Sequence, residues 1–379
     1  MRLEFATAAR ILFGEGVLRD VPAAAAAMGR RALLATGAAG LRTPLKIPGV
    51  DCLPFAVAGE PTLDLIRSGA AYARGERCDL VIAIGGGSVL DAGKALAALL
   101  TNPGDPMDYL EVIGRGQPLS NPSAPCIAIP TTAGTGSEVT RNAVVGSPLH
   151  RVKASLRGAG ILPRLAVVDP ELSFGLPRPL TAGTGLDALT QLIEPYVGVR
   201  ANLMTDQLCV TGIRHAARAL PRVWENGADR EARAEMAWAS LLGGMALSNA
   251  GLGAVHGFAA PVGGMFPAPH GAVCAAVLPH AMKINLTALR ARAPHSPALG
   301  RYSEVAQLLT ARAQATADDG VEWIAALCRK LEIPPLRAYG VREADIAALV
   351  EKAAQAGSMK GNPIPLTEVE LREIISRAI

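Results

Sequence analysis

The sequence predicts an α/β N-terminal domain with a mainly parallel sheet, followed by an all-α C-terminal domain. Three observations carry this reading. Short apolar strings alternate with helical segments through the first half, the strand signal fades after Pro177-Arg178-Pro179, and long Ala/Leu-rich segments with helical spacing fill the remainder. The boundary is set at residue 180, giving domains 1–180 and 181–379. A chain of 379 residues is long enough for two such cores.

In chain order, Ala32-Leu33-Leu34-Ala35-Thr36 reads as a strand, residues 53–57 as a weaker one, and 80–84, 126–129 and 165–168 as clear ones. Helices are expected over 62–77 and 89–100, and the alanine run 23–27 is helix, because Ala is the best helix former. Strands alternating with helices call for a parallel sheet covered on both faces. The Pro- and Gly-bearing stretch 114–125 reads as a loop. Beyond 180, helices are expected over 184–197, 203–224, 230–249, 303–316, 321–330 and 343–356.

Composition narrows the function classes. Half the residues are apolar and 18% are charged, which describes a globular chain. A net charge of +4 without a basic stripe, and 4% aromatic residues, argue against nucleic-acid binding. No run of about 18 uninterrupted apolar residues marks a membrane span, and Arg2 and Glu4 precede any apolar run, unlike a secretory signal. The six cysteines have no close pairing, and several sit in apolar strings, as Cys126 does. They read as buried thiols in a reducing cytoplasm, not as disulfides or a zinc–thiolate site.

The most informative segment is Leu80-Val81-Ile82-Ala83-Ile84-Gly85-Gly86-Gly87-Ser88-Val89-Leu90-Asp91-Ala92-Gly93-Lys94. An apolar strand ends in three glycines and a serine, and a helix follows. Glycines there let backbone N–H groups approach a phosphate, and the helix start adds partial positive charge. The lesser alternative, for the segment taken alone, is a tight strand-to-helix turn that binds nothing. A second cluster, Pro130-Thr131-Thr132-Ala133-Gly134-Thr135-Gly136-Ser137-Glu138-Val139-Thr140, follows another strand and can hold a ribose or phosphate, although such clusters are also common in turns. Two such loops in one α/β domain favour a nucleotide site beyond the carboxyl ends of the strands.

A third cluster suits a divalent ion. Asp187 and Gln191 lie four apart in a helix, so they share a face. His256 and His270 lie fourteen apart across a Gly- and Pro-rich stretch read as a turn that brings the imidazoles together. A lone histidine is more often structural than ligating, but one carboxylate with two imidazoles suits Fe²⁺ or Zn²⁺, which would polarise an alcohol or carbonyl oxygen. His150, His215 and His280 are left as surface or core residues.

Together these segments resemble the iron-containing (group III) alcohol dehydrogenase family over nearly the whole chain. The resemblance runs through Phe13-Gly14-Glu15-Gly16, Gly59-Glu60-Pro61, the G-G-G-S-x-x-D-x-x-K pattern ending at Lys94 and the P-T-T-x-G-T-G-S-E-x-T pattern ending at Thr140. It continues through Lys153, Asp169-Pro170, Gly185-Leu186-Asp187-Ala188-Leu189-Thr190, His256-Gly257, Pro269-His270-Gly271 and Asn362-Pro363. It implies a dehydroquinate synthase-like architecture: a nucleotide-binding domain, a helical metal and substrate domain, and a cleft between them. The activity implied is NAD(P)-linked interconversion of small alcohols with aldehydes or ketones by hydride transfer at that cleft, in a homodimer or larger homo-oligomer. By resemblance, the pyrophosphate sits on the turn Gly85, Gly86, Gly87 with Ser88. Thr131, Thr132, Thr135 and Thr140 line the nucleotide, Lys153 reaches the nicotinamide ribose, and Asn142, Leu247 and Leu252 fall near the substrate pocket. Asp187, His256 and His270 match three of the family's four metal ligands and are the catalytic candidates.

Two positions depart from the family pattern. Gln191 stands where the family has a histidine ligand, and a neutral amide is a weaker donor than imidazole. Ala260 stands where a second histidine commonly helps to move the alcohol proton, so water, a ribose hydroxyl or another side chain must do so. Three outcomes are open: a metal held by Asp187, Gln191, His256 and His270; a metal-free reductase with His256 or His270 as acid, which in the maleylacetate reductase-like form acts on a carboxylate-bearing carbonyl compound; or a nucleotide-binding protein that has lost dehydrogenase activity. Retention of Asp187 ranks the maleylacetate-type reading second. The family often has an acidic residue after the second strand, where Thr36-Gly37-Ala38 stands here. Its loss removes the repulsion of a 2′-phosphate, so NADPH should be accepted at least as well as NADH.

Overall fold

The computed structural model describes residues 3–40 and 45–379. The chain forms two compact units, one made of Phe5–Thr132 with Gly136–Ser173, the other containing Phe174–Ile379 with Ala133–Thr135.

The first unit is built on a six-stranded sheet: β1 (Ile11–Phe13), β2 (Arg31–Gly37), β3 (Asp51–Val57), β4 (Leu80–Gly85), β5 (Cys126–Pro130) and β8 (Leu165–Val168). Its order is β1-β8-β5-β4-β2-β3, and every pairing is parallel. All six residues of β4 are buried, as a strand covered on both faces requires. Its alternation sorts the core. Val81 and Ala83 join a cluster with Leu90 and Leu96, whereas Leu80, Ile82 and Ile84 join one with Val21 and Ala25. The helices are α1 (Val21–Ala26), α2 (Leu63–Gly75), α3 (Gly87–Thr101) and the short α4 (Pro106–Tyr109). Thr62 caps α2 by accepting from the Leu65 N–H at 3.2 Å.

All five expected strands form. Two features were not expected. β1 is only three residues long, too short for a periodicity to register. β6 (Asn142–Ser147) and β7 (Val152–Arg157) form a separate antiparallel hairpin, whose polar residues hide its alternation.

The second unit is helical: α5 (Arg178–Val197), α6 (Leu203–Glu225), α7 (Arg230–Ala250), α8 (Ala254–Met265), α9 (His270–Arg292), α10 (Pro297–Thr310), α11 (Ala317–Lys330), α12 (Ile346–Gln355) and α13 (Glu368–Ala378). One correction concerns the segment holding both histidines, which reads as a turn in the sequence. Most of it is helix: His256 lies in α8 and His270 opens α9. Pro261 and Pro279 stand inside these helices and obscure them in the sequence. α9 is long and apolar enough to cross a membrane, but 72% of its apolar window is buried inside the protein, as befits a core helix.

Candidate functional sites

In the α/β unit, β4 runs into α3 through Gly85 and Gly86. A Cβ on Gly85 would come within 2.5 Å of Val89, and one on Gly93 within 2.5 Å of the Ala83 methyl, so both glycines are required for α3 to lie against its strand. Gly86 is the N-cap and has no side chain to cap with. The Gly87 and Ser88 N–H groups open the helix and have no intrahelical acceptor, and Gly86, Gly87 and Ser88 are half-buried, not sealed. Half-buried Thr131 and Thr132 follow β5, with Thr132 about 3.5 Å from where a Gly86 Cβ would stand. This is an accessible cradle of donors suited to an anionic diphosphate.

Behind the cradle is a buried polar lock. The fully buried Lys94 ammonium donates to Ser137 O at 2.8 Å, Thr140 Oγ1 at 2.9 Å and Asn142 O at 2.5 Å, and pairs with Asp91 at 3.1 Å. Ser137 Oγ donates to Asp91 at 2.6 Å. Thr140 is thus a buried member of this lock, which pins the second loop to α3. Lys153 is held by Glu60 at 2.5 Å. Burial raises Glu138 to about 7, with Lys94 opposing. Gly37 ends β2, and among the described residues no atom lies within 4 Å of a Cβ built there. Asn142 belongs to this unit, whereas Thr135, Leu247 and Leu252 belong to the helical one.

In the helical unit, α5 supplies Asp187 and Gln191, both buried. Asp187 Oδ1 lies 3.3 Å from His256 Nε2 and 3.7 Å from His270 Nε2, yet makes no hydrogen bond of good geometry. Gln191 Oε1 is likewise buried and unpartnered. The two imidazole centroids are 5.5 Å apart. Burial opposes charge on Asp187, but His270 and His256 hold its pKa below the usual value. Burial would also lower His256, yet Cys274, Asp187 and Glu194 hold it well above its ordinary value; His270 is raised against burial by Cys274 and Asp187. A buried carboxylate oxygen with no hydrogen bond, facing two ring nitrogens, is the donor set a divalent ion would satisfy.

Sequence reasoning missed two residues here. Glu194 Oε2 lies 2.7 Å from His256 Nδ1, and its Oε1 accepts from the Val255 N–H at 2.7 Å. It stands on the face of α5 shared by Asp187 and Gln191, a signal the helical spacing already contained. Cys274, set aside as a plain buried thiol, lies 3.7 Å from His270 Nε2 and 3.8 Å from His256 Nε2. It stands one helical turn after His270.

A parallel sheet with a glycine-opened helix is joined in one chain to a helical unit with a carboxylate–imidazole cluster, the layout of an enzyme that uses a nucleotide and a metal. Family models described as iron-containing alcohol dehydrogenase and as the C-terminal part of the Fe-containing alcohol dehydrogenase family match residues 8–170 and 181–379. The chain belongs to the iron-containing alcohol dehydrogenase family. It is 36% identical to a 1,3-propanediol dehydrogenase of Citrobacter freundii over 92% of each chain. It is 33% identical to an NAD-dependent methanol dehydrogenase of Bacillus methanolicus over 97% of each. The crystal structure of a 1,3-propanediol oxidoreductase superposes over 100% of both chains with a TM-score of 0.91 at 33% identity.

Proposed function

We propose that the protein interconverts small alcohols with aldehydes or ketones, using NAD(P)(H) and a divalent metal. The observation that carries this is the unpartnered, buried Asp187 Oδ1 beside the two Nε2 atoms of His256 and His270. Support also comes from relatives that are alcohol dehydrogenases, one of them named as NAD-dependent.

In this reading the α/β unit seats the dinucleotide. Gly86, Gly87 and Ser88 meet the diphosphate through backbone N–H groups, and the Lys94 lock keeps the neighbouring Thr131 and Thr132 loop in place. Lys153, paired with Glu60, is available to a ribose hydroxyl. In the helical unit Asp187, His256 and His270 hold the ion, which when bound acts as a Lewis acid on the substrate oxygen. Glu194 at 2.7 Å from His256 Nδ1 orients the ring so that Nε2 faces Asp187, where that nitrogen would take the ion in place of a proton. A bound dinucleotide would supply hydride acceptance at C4 of the nicotinamide, and the alcohol's hydroxyl proton would have to leave. Ala260 cannot take that proton, so it departs through water on the side of His270, whose side chain is 34% exposed while those of His256 and Asp187 are sealed. Six free thiols accord with a reducing compartment, which we extend to the cytoplasm.

The test is oxidation of NADH and NADPH by the purified protein with a panel of short aldehydes, before and after metal chelation. Aldehyde-dependent turnover that falls on chelation and returns with Zn²⁺ or Fe²⁺ is expected. Dinucleotide binding without turnover would instead make the chain a binding protein. Turnover indifferent to chelation would favour the metal-free reductase.

A further inference from the structure

The helical unit contains one more donor than the sequence motifs provide. Cys274 follows His270 by one turn of α9, so both point to the same side of that helix. The ligand atoms of Asp187, His256, His270 and Cys274 all lie within 4.8 Å of one another. Four of the six separations are individually measured: 3.3 and 3.7 Å from Asp187 Oδ1 to the two imidazoles, and 3.8 and 3.7 Å from Cys274 Sγ to the same two nitrogens. Bonds of roughly 2.0–2.3 Å to one tetrahedral centre put neighbouring donors about 3.3–3.6 Å apart. The observed separations meet that spacing to within a few tenths of an ångström. Gln191 Oε1 is buried without a hydrogen-bond partner on the same face of α5, 3.6 Å from where a Gly243 Cβ would stand, and it offers only a neutral amide oxygen.

We propose that Cys274 replaces the missing histidine as the fourth ligand, so that Asp187, His256, His270 and the Cys274 thiolate hold the ion. Gln191 stays outside the donor set. A thiolate is softer than imidazole and an anionic donor, which a neutral amide is not. Exchange of a histidine for a cysteine therefore turns an iron-type site toward zinc. The cluster is one coherent substitution: Gln191 gives up a ligand position on α5 and Cys274 fills it from α9. This rests on the reading of the helical unit as a metal site and sharpens it.

Cobalt(II) titration of the chelator-stripped full chain tests it. One equivalent should bind and produce the near-ultraviolet charge-transfer band of a cobalt–thiolate bond. Cys274→Ser should abolish the band and weaken zinc binding by on the order of tenfold or more, judged against the effects of even outer contacts. Gln191→Ala should keep the band. Far-ultraviolet circular dichroism matching the parent confirms that Cys274→Ser is folded, and the zinc-induced rise in melting temperature seen in the parent should shrink in it. One cobalt bound without the band, or a band that survives Cys274→Ser, overturns the assignment while leaving a metal-dependent dehydrogenase intact. No stoichiometric metal at all overturns both the assignment and the metal-dependent reading.

Discussion

In the α/β unit the candidate phosphate seat is continuous in sequence: β4, Gly86 and the first turn of α3 lie within about eleven residues. Its recognition groups are backbone N–H groups, and its side chains serve mainly to hold the backbone there. The helical unit works the other way. Its donor atoms are side chains from three helices, α5, α8 and α9, that only tertiary packing brings together. A seat made of backbone tolerates few changes, because a Cβ at Gly85 or Gly93 has no room. A site made of side chains can lose a ligand from one helix and gain one from another. That difference lets a side-chain cluster change its members while a glycine seat with no room for a Cβ stays fixed.

The contrast breaks most sharply at Lys94, a side chain on which the backbone seat depends. Lys94→Met leaves three acceptors and Asp91 without their cation in a buried setting, a loss of about 3–5 kcal/mol. A drop of several degrees in melting temperature is expected, with loss of NAD(P)H binding by fluorescence titration. A variant as stable as the parent would show that the lock is incidental.

Glu138, next to that lock, gives an effect nearly as large with a definite pH dependence. Burial raises its pKa from 4.5 to about 7. Below pH 4.5 it is protonated in both folded and unfolded chains and costs nothing. Between 4.5 and 7 the folded state binds more protons, so stability falls as pH rises; above 7 the full cost, about 3 kcal/mol, is present. Glu138→Gln removes it. The melting temperature of the variant relative to the parent should be unchanged at pH 4.5 and highest at pH 8. A difference that is flat across this range refutes the buried-charge account.

The sequence reading follows the same divide. The five strands, the glycine bend and the α3 start were legible because they are local: period, glycine placement and strand length lie side by side in the chain. Asp187, His256 and His270 were legible through family motifs. Cys274 and Glu194 were not, although each stands on the same helix face as a ligand already named. Pro261 and the surrounding glycines made α8 read as a turn, and no helix was expected to start at His270, so Cys274 had no face to share with it; Glu194 stood on an expected helix and was passed over. Thr140 illustrates the converse. Its motif position suggests a nucleotide contact, whereas its hydroxyl is buried against Lys94.

Glu194 sharpens the contrast at intermediate size. It orients His256 through Nδ1 and is itself steadied by the Val255 N–H. Glu194→Gln keeps the shape and removes the charge. Zinc affinity measured by competition should fall by about 10–100-fold, with dinucleotide affinity unchanged because that seat belongs to the other unit. Equal losses in both would mean that the two regions are not independent.

The smallest effect is expected at Gly37, where the backbone seat touches specificity. Among the described residues nothing crowds a Cβ at the end of β2, so an added carboxylate should leave the melting temperature unchanged. An acidic side chain at that strand end hydrogen-bonds a ribose 2′-hydroxyl and repels a 2′-phosphate. Gly37→Asp should therefore move the ratio of kcat/KM for NADPH over NADH down by about tenfold, a shift of about 1.4 kcal/mol, mostly through a higher KM for NADPH. The parent should use NADPH at least as well as NADH. A parent that strongly prefers NADH, or a variant whose ratio does not move, would mean that the 2′ position of the ribose is read by another residue. The open end of β2 would then be only a turn.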